Sequence, residues 1–139
     1  MTESHARGML DTSTVILLGR LTDPSSLPAD SIVSAITLAE LSVGPHVART
    51  TRERAARQAH LQQAEADFET VPFGPEAARA FGRVAASLRS ASRKPTARAY
   101  DALVAAAAIA ENVPIYTCNP ADFEGIEGLD VRPVPHPDR

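Results

Sequence analysis

The chain has 139 residues, of which 44% are hydrophobic, and a formal net charge of −3. This length suits a single domain with one core, and no apolar run approaches the roughly 18 residues that a membrane-spanning helix needs. Cys118 is the only cysteine, which excludes an intrachain disulfide and argues against a thiolate metal site. Because residues 1–8 also lack the apolar stretch of a secretory signal, we expect a soluble, cytoplasmic protein without a membrane partner.

Strand patterns alternate with helical patterns along the chain. We expect the first strand to stop at Asp11, where a helix begins and continues to Gly19. A run of β-branched residues predicts a second strand over residues 31–36, and we expect Thr37 to cap the helix that follows it. Gly44-Pro45 is expected to interrupt that helix.

The second half of the chain continues this alternation. Its patterns predict helices over residues 48–68, 74–88 and 97–112, strands over residues 69–73, 113–117 and 129–134, and a helical turn over residues 119–123. The prediction is therefore an α/β protein with three layers, α/β/α, around a central, mostly parallel sheet of four to five strands. Residues 9–134 are expected to form this domain, with flexible tails at residues 1–8 and 135–139.

Basic residues are concentrated in the middle of the chain. Residues 49–98 carry ten basic and five acidic side chains, whereas the remainder carries four and twelve. One basic face could hold a polyanion such as RNA, although solvated helix faces would give the same pattern. The RNA-binding candidates are Arg49, Arg52, Arg57, Arg93, Lys94 and Arg98.

Acidic residues recur where a predicted strand ends or a helix starts. Asp11 ends the first strand, Glu40 lies in the first turn of the next helix, and Asp101 lies near the start of the alanine-rich helix. Asn119 and Asp122 follow the fourth strand directly. In open α/β sheets ligands bind beyond the carboxyl ends of the strands, so these residues are candidates for one site. For Asp11, a plain helix N-cap is the alternative.

The chemistry of such a cluster points to a metal. Several carboxylates in one pocket repel each other and stay ionised together only if a cation lies among them. The ligands are all oxygen atoms, which select Mg²⁺ or Mn²⁺ over zinc. We therefore predict phosphodiester hydrolysis by a metal-activated water, while basic helices hold the RNA backbone. Ser13 and Thr117 could support the carboxylates or metal waters, or they could be ordinary polar turn residues.

Four segments carry a resemblance to a known family. Residues 9–13 (MLDTS), 37–41 (TLAEL), 100–106 (YDALVAA) and 117–123 (TCNPADF) resemble the four motifs of the PIN-domain ribonucleases, and more narrowly of the VapC toxins of bacterial toxin–antitoxin pairs. The resemblance implies a PIN-like fold, an Mg²⁺-dependent endoribonuclease, a homodimer and a VapB-type antitoxin that inserts a basic side chain into the acidic pocket.

The motifs also suggest which residues act. They assign catalytic and metal-binding roles to Asp11, Glu40 and Asp101. At the fourth position many relatives have an acid where this chain has Asn119, and Asp122 is the other candidate. Which of the two supplies the fourth ligand is left open by the sequence.

Other functions were weighed against this one. A catalytically silent PIN-like module that binds RNA or a partner is the alternative. A HAD-type phosphatase would need an acid at position 13, where this chain has Ser13. A receiver domain would need a lysine late in the chain, but the only lysine, Lys94, comes well before the fourth strand. Neither function therefore fits. Tyr100 and Tyr116 are expected in the core or a pocket wall. The histidines (His5, His46, His60 and His136) are expected to have surface or packing roles.

Overall fold

A five-stranded parallel sheet forms the centre of the molecule. The computed structural model describes residues 6–92 and 98–139. Within these residues the strand order is β3-β2-β1-β4-β5. The strands are β1 (Arg7–Leu10), β2 (Asp30–Ser34), β3 (Glu69–Val71), β4 (Ile115–Thr117) and β5 (Val131–Pro133). The predicted α/β class and parallel sheet are confirmed, and the sheet has the larger of the two predicted strand numbers.

Helices cover both faces of this sheet. They are α1 (Thr12–Leu17), α2 (Ala35–His46), α3 (Thr51–Asp67), α4 (Pro75–Ser90) and α5 (Ala99–Glu111). Met9 and Ile115 join a buried cluster with α5 on one face, whereas Leu10 and Tyr116 join residues of α1, α2 and α3 on the other. This alternation is the period-2 pattern of a strand buried on both sides, and it gives the predicted three layers.

Strand β1 lies at the point where the order of the strands in the sheet reverses. From β1 the chain builds β2 and β3 on one side, then crosses to the other side for β4 and β5. Ligands bind at such a switch point in open α/β sheets, at the carboxyl ends of the strands. Asp11 is the residue that follows the carboxyl end of β1.

The described parts of both predicted tails contact the rest of the domain. Strand β1 begins at Arg7, inside the segment expected to be flexible, where Arg7 pairs with Asp30 of β2 and its guanidinium forms ion pairs with Asp30, Glu69 and Glu111. Residues 135–139 also make specific contacts. Asp138 pairs with Arg20, and Arg139 donates a hydrogen bond to Asn119.

Helix α2 differs from the prediction at both ends. It starts at Ala35 and is capped by Ser34, whose hydroxyl accepts from the Ile36 N–H at 3.0 Å, so Thr37 is not the cap. It also continues through Gly44 and Pro45 to His46. The last carbonyls of α2 accept from two arginine side chains of α3, which compensates part of the cost of a proline in this turn. In the described part of the chain, no helix is long and apolar enough to cross a membrane.

Candidate active site

Asp11 is a buried carboxylate held by hydroxyl groups. Asp11 is 2% exposed, and its side chain caps α1 by accepting from the Thr14 N–H. The N-cap that was considered as the alternative role is therefore present. The hydroxyls of Ser13 and Thr117 each donate to Oδ2 at 3.0 Å, and the Thr14 hydroxyl donates to Oδ1. Burial raises the pKa of Asp11, and these hydrogen bonds oppose the rise.

Two of these hydroxyls are oriented by backbone amides. The Thr14 hydroxyl accepts from the Cys118 N–H at 3.0 Å, and the Thr117 hydroxyl accepts from the Asn119 N–H at 2.9 Å. A hydroxyl that accepts in this way keeps its single proton for the carboxylate. Strand β4 and the turn after it therefore fix the orientation of Asp11. The sequence analysis proposed Ser13 and Thr117 as supporting residues but missed Thr14, whose only signal was its position three residues after an N-cap Asp.

Glu40 enters the same region from α2. The Thr12 hydroxyl donates to Glu40 Oε1 at 2.5 Å and lies 3.0 Å from the hydroxyl of Thr37, the buried residue that was predicted to be a cap. Burial raises the pKa of Glu40, the Thr12 hydrogen bond opposes this, and repulsion from Asp11 adds to the rise. Thr12 was also missed by the sequence analysis.

Asp101 is electrostatically linked to all the other acids of the candidate set. Burial is the main cause that raises its pKa to about 6, followed by repulsion from Asp122, Asp11 and Glu40, while Arg98 lowers it. Because charge repulsion of this kind needs proximity, the four predicted catalytic carboxylates share one electrostatic environment at the carboxyl ends of β1 and β4.

Arg98 lies against this acidic group. Its guanidinium contacts Asp122 Oδ1 at 2.5 Å and Asp101 Oδ2 at 3.7 Å. The side chain of Arg98 is 46% exposed, so it covers the acids from the solvent side. An intramolecular cation therefore offsets part of the negative charge of the site.

Asn119 is occupied at both ends of its amide. Its Nδ2 donates to Ser13 Oγ at 3.0 Å, and its Oδ1 accepts from Arg139 at 2.9 Å. In this arrangement Asn119 links the hydroxyls around Asp11 to the C-terminal segment. Asp122 is likewise engaged, through the contact of its Oδ1 with Arg98, but it carries a negative charge that the Asn119 amide lacks.

The residues fit a hard divalent cation by their chemistry. The carboxylates of Asp11, Glu40, Asp101 and Asp122 offer oxygen ligands, and a divalent ion would relieve the repulsion that raises the pKa of Asp101. Within residues 6–92 and 98–139, no three His, Cys, Asp or Glu side chains stand close enough together to hold a metal ion. Side chains at the rim, such as Asp122, would therefore have to move toward the ion.

The predicted RNA-binding arginines have different environments. Arg49 and Arg52 are exposed. Arg57 is half-buried and bonded to the Gly44 carbonyl and to Glu53, and Arg98 is paired with the site acids, so neither is a freely extended cation. Arg93 and Lys94 lie outside the described residues.

The two tyrosines also differ from each other. Tyr116 is buried against the sheet, as expected, but Tyr100 is 54% exposed and is not a core residue. Helix α5 is buried on several sides through residues such as Ala102, Val104 and Ala107, whereas Tyr100 lies in the first turn of this helix, before its buried part begins.

Comparisons with known proteins give the family. The family model described as "PIN domain" matches residues 9–128. The chain is 37% identical over 130 residues to Ribonuclease VapC5 of Mycobacterium tuberculosis, covering 92% of this chain and 93% of that protein. It is 31% identical to Ribonuclease VapC of Rickettsia bellii, covering 91% and 96%.

Solved structures agree with this relationship. The VapBC-5 member of the VapBC family of toxin–antitoxin systems from M. tuberculosis superimposes with a TM-score of 0.80 at 35% identity, over 93% of this chain and 99% of that chain. VapBC2 from Rickettsia felis, bound to a promoter DNA fragment, gives a TM-score of 0.73 at 22% identity, over 90% and 96%, and supports the fold alone.

Proposed function

Because this chain belongs to the PIN-domain family, we propose that it is a divalent-metal-dependent endoribonuclease and the toxin of a type II toxin–antitoxin pair. The observation that carries the proposal is the set of contacts around the carboxyl ends of β1 and β4: Thr12, next to Asp11, holds Glu40, and Arg98 contacts both Asp101 and Asp122. The relatives named Ribonuclease VapC, which the chain matches over nearly their full length, support RNA as the substrate.

The metal would be Mg²⁺ or Mn²⁺. Asp11, Glu40, Asp101 and Asp122 would hold it, with Asn119 contributing only after release from Arg139. A bound ion of this kind supplies a nucleophile by lowering the pKa of a water molecule.

The side chains of the protein would contribute orientation and proton exchange. Asp11 cannot rotate freely, because three hydroxyls and one backbone amide hold its two oxygens. Thr12 holds Glu40 in the same way. Burial and repulsion from neighbouring acids raise the pKa values of Glu40 and Asp101 in the metal-free protein, so both groups take up a proton more readily than ordinary carboxylates.

A VapB-type antitoxin is the proposed protein partner. The solved relatives are VapBC toxin–antitoxin complexes. The pairing of Arg98 with Asp122 and Asp101 demonstrates that a guanidinium fits beside these acids, which is the interaction expected of a basic antitoxin side chain. We further propose a homodimer that acts on RNA in the cytoplasm.

Cleavage of a 5′-labelled RNA by the purified protein tests this function. We expect cleavage with Mg²⁺ or Mn²⁺ and none with EDTA. The Asp11→Asn variant keeps the shape of the side chain, and its hydroxyl partners can turn to accept from the new amide. Loss of an outer-shell partner of a metal costs about 10–100-fold, so loss of this ligand should reduce the rate by more than about 100-fold.

The matched control is Asp23→Asn. Asp23 is also an aspartate that caps a short helix and bonds a nearby serine, but it is exposed and is not among the groups that shift the pKa of Asp101. Its substitution should leave cleavage unchanged. Equal activity of Asp11→Asn and the wild type would refute the proposed site.

The second candidate is a silent PIN-like module that binds without cutting. The observations that favour it are an amide at position 119 and the pairing of Arg98 with the site acids. It predicts RNA binding that is the same in the wild type and in Asp11→Asn, with no cleavage by either protein at any Mg²⁺ or Mn²⁺ concentration.

A further inference from the structure

A cavity of about 280 Å³ lies beside Glu40, on the side of this residue that faces α3. We call it the Glu40 cavity. Helix α1 contributes Thr12 and Ile16 to its lining, α2 contributes Glu40 and Gly44, and α3 contributes Arg57 and His60. Glu40 therefore belongs both to the acidic group and to the wall of this cavity, so any ligand of the cavity would lie next to the proposed reaction centre.

Arg57 lines the cavity, and two contacts hold its guanidinium in place. One guanidinium nitrogen donates to the Gly44 carbonyl at 3.0 Å, and another pairs with Glu53 at 3.0 Å. Gly44 permits this position, because a Cβ atom at residue 44 would lie only 3.2 Å from Arg57 Cδ. Two anchored nitrogens leave the guanidinium little rotational freedom, so stacking against it would cost little additional entropy.

His60 and Ile16 line other parts of the cavity. His60 lies one helical turn after Arg57 and lines the same cavity, where its ring nitrogens can form hydrogen bonds. Ile16 is 43% exposed and supplies an apolar surface. A planar cation, an apolar wall and a hydrogen-bonding ring are the groups with which proteins recognise unstacked RNA bases.

On the basis of the proposed function, we infer that the Glu40 cavity binds one unstacked nucleobase of the RNA substrate, from a nucleotide adjoining the scissile phosphate. Arg57 is the stacking platform, and His60 contacts an edge of the base. The cavity is smaller than the 300–1,000 Å³ common for ligand pockets, so it suits one base better than a protein segment. His60 is then the specificity-determining residue, and Arg57 contributes affinity for any base.

A second hollow in the same region supplies matched controls. Arg54 also lies on α3 and also donates to a carbonyl at the end of α2, that of Pro45, at 3.3 Å. Together with His46 it lines a different hollow, which does not include Glu40. Arg54 and His46 therefore provide the same residue types and a similar structural tie, without contact to the Glu40 cavity.

The test is the base preference of cleavage in a randomised RNA pool, read by sequencing the ends of the fragments. For the wild type we expect a preference at one position next to the cut. Removing one stacking partner of a base typically costs a factor of about ten or more. Arg57→Ala should therefore lower cleavage about tenfold at every base, because stacking tolerates all bases. His60→Ala, which removes the edge contact, should reduce the base preference itself, whereas Arg54→Ala and His46→Ala should keep both the rate and the preference. The inference is wrong if His60→Ala retains the wild-type preference and Arg57→Ala the wild-type rate, or if these two variants only weaken binding of a protein partner.

A binding experiment separates this inference from the proposed function. If the wild type cuts no RNA, the proposed function fails, and the cavity is then judged with the four nucleoside 5′-monophosphates by NMR. Shifts of the Ile16 and Gly44 amides that disappear in His60→Ala would support a base site in a protein that is not a nuclease. The absence of such shifts with all four nucleotides would overturn the inference.

Discussion

Asp11 depends on residues from both ends of the chain for its conformation. Ser13 and Thr14 follow it directly, but Thr117 reaches it from 106 residues away. Thr117 has two roles, because its hydroxyl donates to Asp11 and accepts from the Asn119 N–H. Removal of this one hydroxyl therefore leaves a buried carboxylate short of a donor and a backbone amide short of an acceptor.

Thr117→Val tests this dependence at nearly constant volume. Losing both hydrogen bonds should lower the free energy of unfolding by about 1–3 kcal/mol. Because Asp11 loses part of its support, RNA cleavage should also fall by about 10–100-fold. Urea denaturation and a cleavage assay measure the two effects. Thr117→Ser keeps the hydroxyl and should retain most of the activity. Equal loss in both variants would show that the methyl group, not the hydroxyl, is what matters.

The charge of Asp101 should make stability depend on pH. Its pKa is raised from 3.8 to about 6 in the folded protein, so between these values the folded state binds more protons than the unfolded state. Stability from this group is therefore fully present below about pH 4 and is lost as the pH rises through 6. In metal-free protein, stability should fall from pH 5 to pH 7.5, partly because of Asp101.

Asp101→Asn should reduce this slope. At pH 7.5 we expect the metal-free variant to be more stable than the wild type by about 1–2 kcal/mol, after allowance for solvent screening. Cleavage should nevertheless be lost. Urea denaturation at several pH values measures the stability, and parallel curves for both proteins would contradict the assignment of the shift to Asp101.

At the scale of residues, the sequence was informative where the contacts are local. The contact of Asp11 with Ser13 and the placement of Asp101 in the first turn of α5 follow from strand and helix patterns. Glu40 was predicted in the first turn of its helix but lies in the second turn of α2, because this helix starts at Ala35. The choice between Asn119 and Asp122 does not, because it depends on Arg139 and Arg98, which reach these residues from elsewhere in the chain. Local patterns carry no information about such long-range partners.

At the scale of elements, the ring of Tyr116 on β4 packs directly over the backbone of β1 at Gly8. A Cβ atom at residue 8 would lie 2.5 Å from Cε1 of the Tyr116 ring, in a strand that is central to the sheet. The absence of a side chain here permits the ring to cover the strand. The sequence analysis placed Gly8 in a tail because the apolar residues of the first strand begin only at Met9.

Gly8→Ala should therefore be destabilising. Overpacking of a core typically costs about 1–3 kcal/mol, and the ring of Tyr116 would have to move. The control is Gly82→Ala in α4, where an added Cβ meets nothing within 4 Å. Better helix propensity should make that variant equally stable or up to about 1 kcal/mol more stable. Thermal unfolding of the two variants measures the difference, and equal effects would mean that the strand accommodates a methyl group.

The limits of α2 illustrate why element boundaries were harder to predict than element types. The sequence analysis chose Thr37 as the cap and expected Gly44-Pro45 to interrupt the helix, but Ser34 is the cap and the helix continues to His46. Thr37 is instead buried beside Thr12, and the end of α2 is supported by arginines of α3. Tertiary contacts therefore decided both ends, whereas the alternation of strands and helices sufficed for the class of fold.

At the scale of the whole molecule, the charge distribution should govern binding of RNA. The acidic site would repel a polyanion, so exposed cations elsewhere must provide the attraction. Arg52 on α3 is exposed. It differs in this from Arg98, which is paired with an acid of the site, and from Arg57, which is bonded to a carbonyl of α2.

Arg52→Ala should weaken RNA binding and its dependence on salt. For single-stranded RNA, each lost phosphate contact reduces the slope of log K against log salt concentration by about 0.7. Fluorescence anisotropy at several salt concentrations measures this slope. Arg132→Ala is the control, because Arg132 is already paired with Asp130 beside β5. An unchanged slope for Arg52→Ala would mean that this arginine does not contact phosphate.

The distance along the chain between Asp11 and Thr117 has a consequence for biosynthesis. A ribosome makes Asp11, Glu40 and Asp101 before it makes the strand that carries Thr117 and pairs with β1. Such long-range pairing cannot form until both partners have been translated. A nascent chain, or a product truncated before β4, would thus carry most of the acidic residues but lack the strand that pairs with β1 and the hydroxyl that orients Asp11.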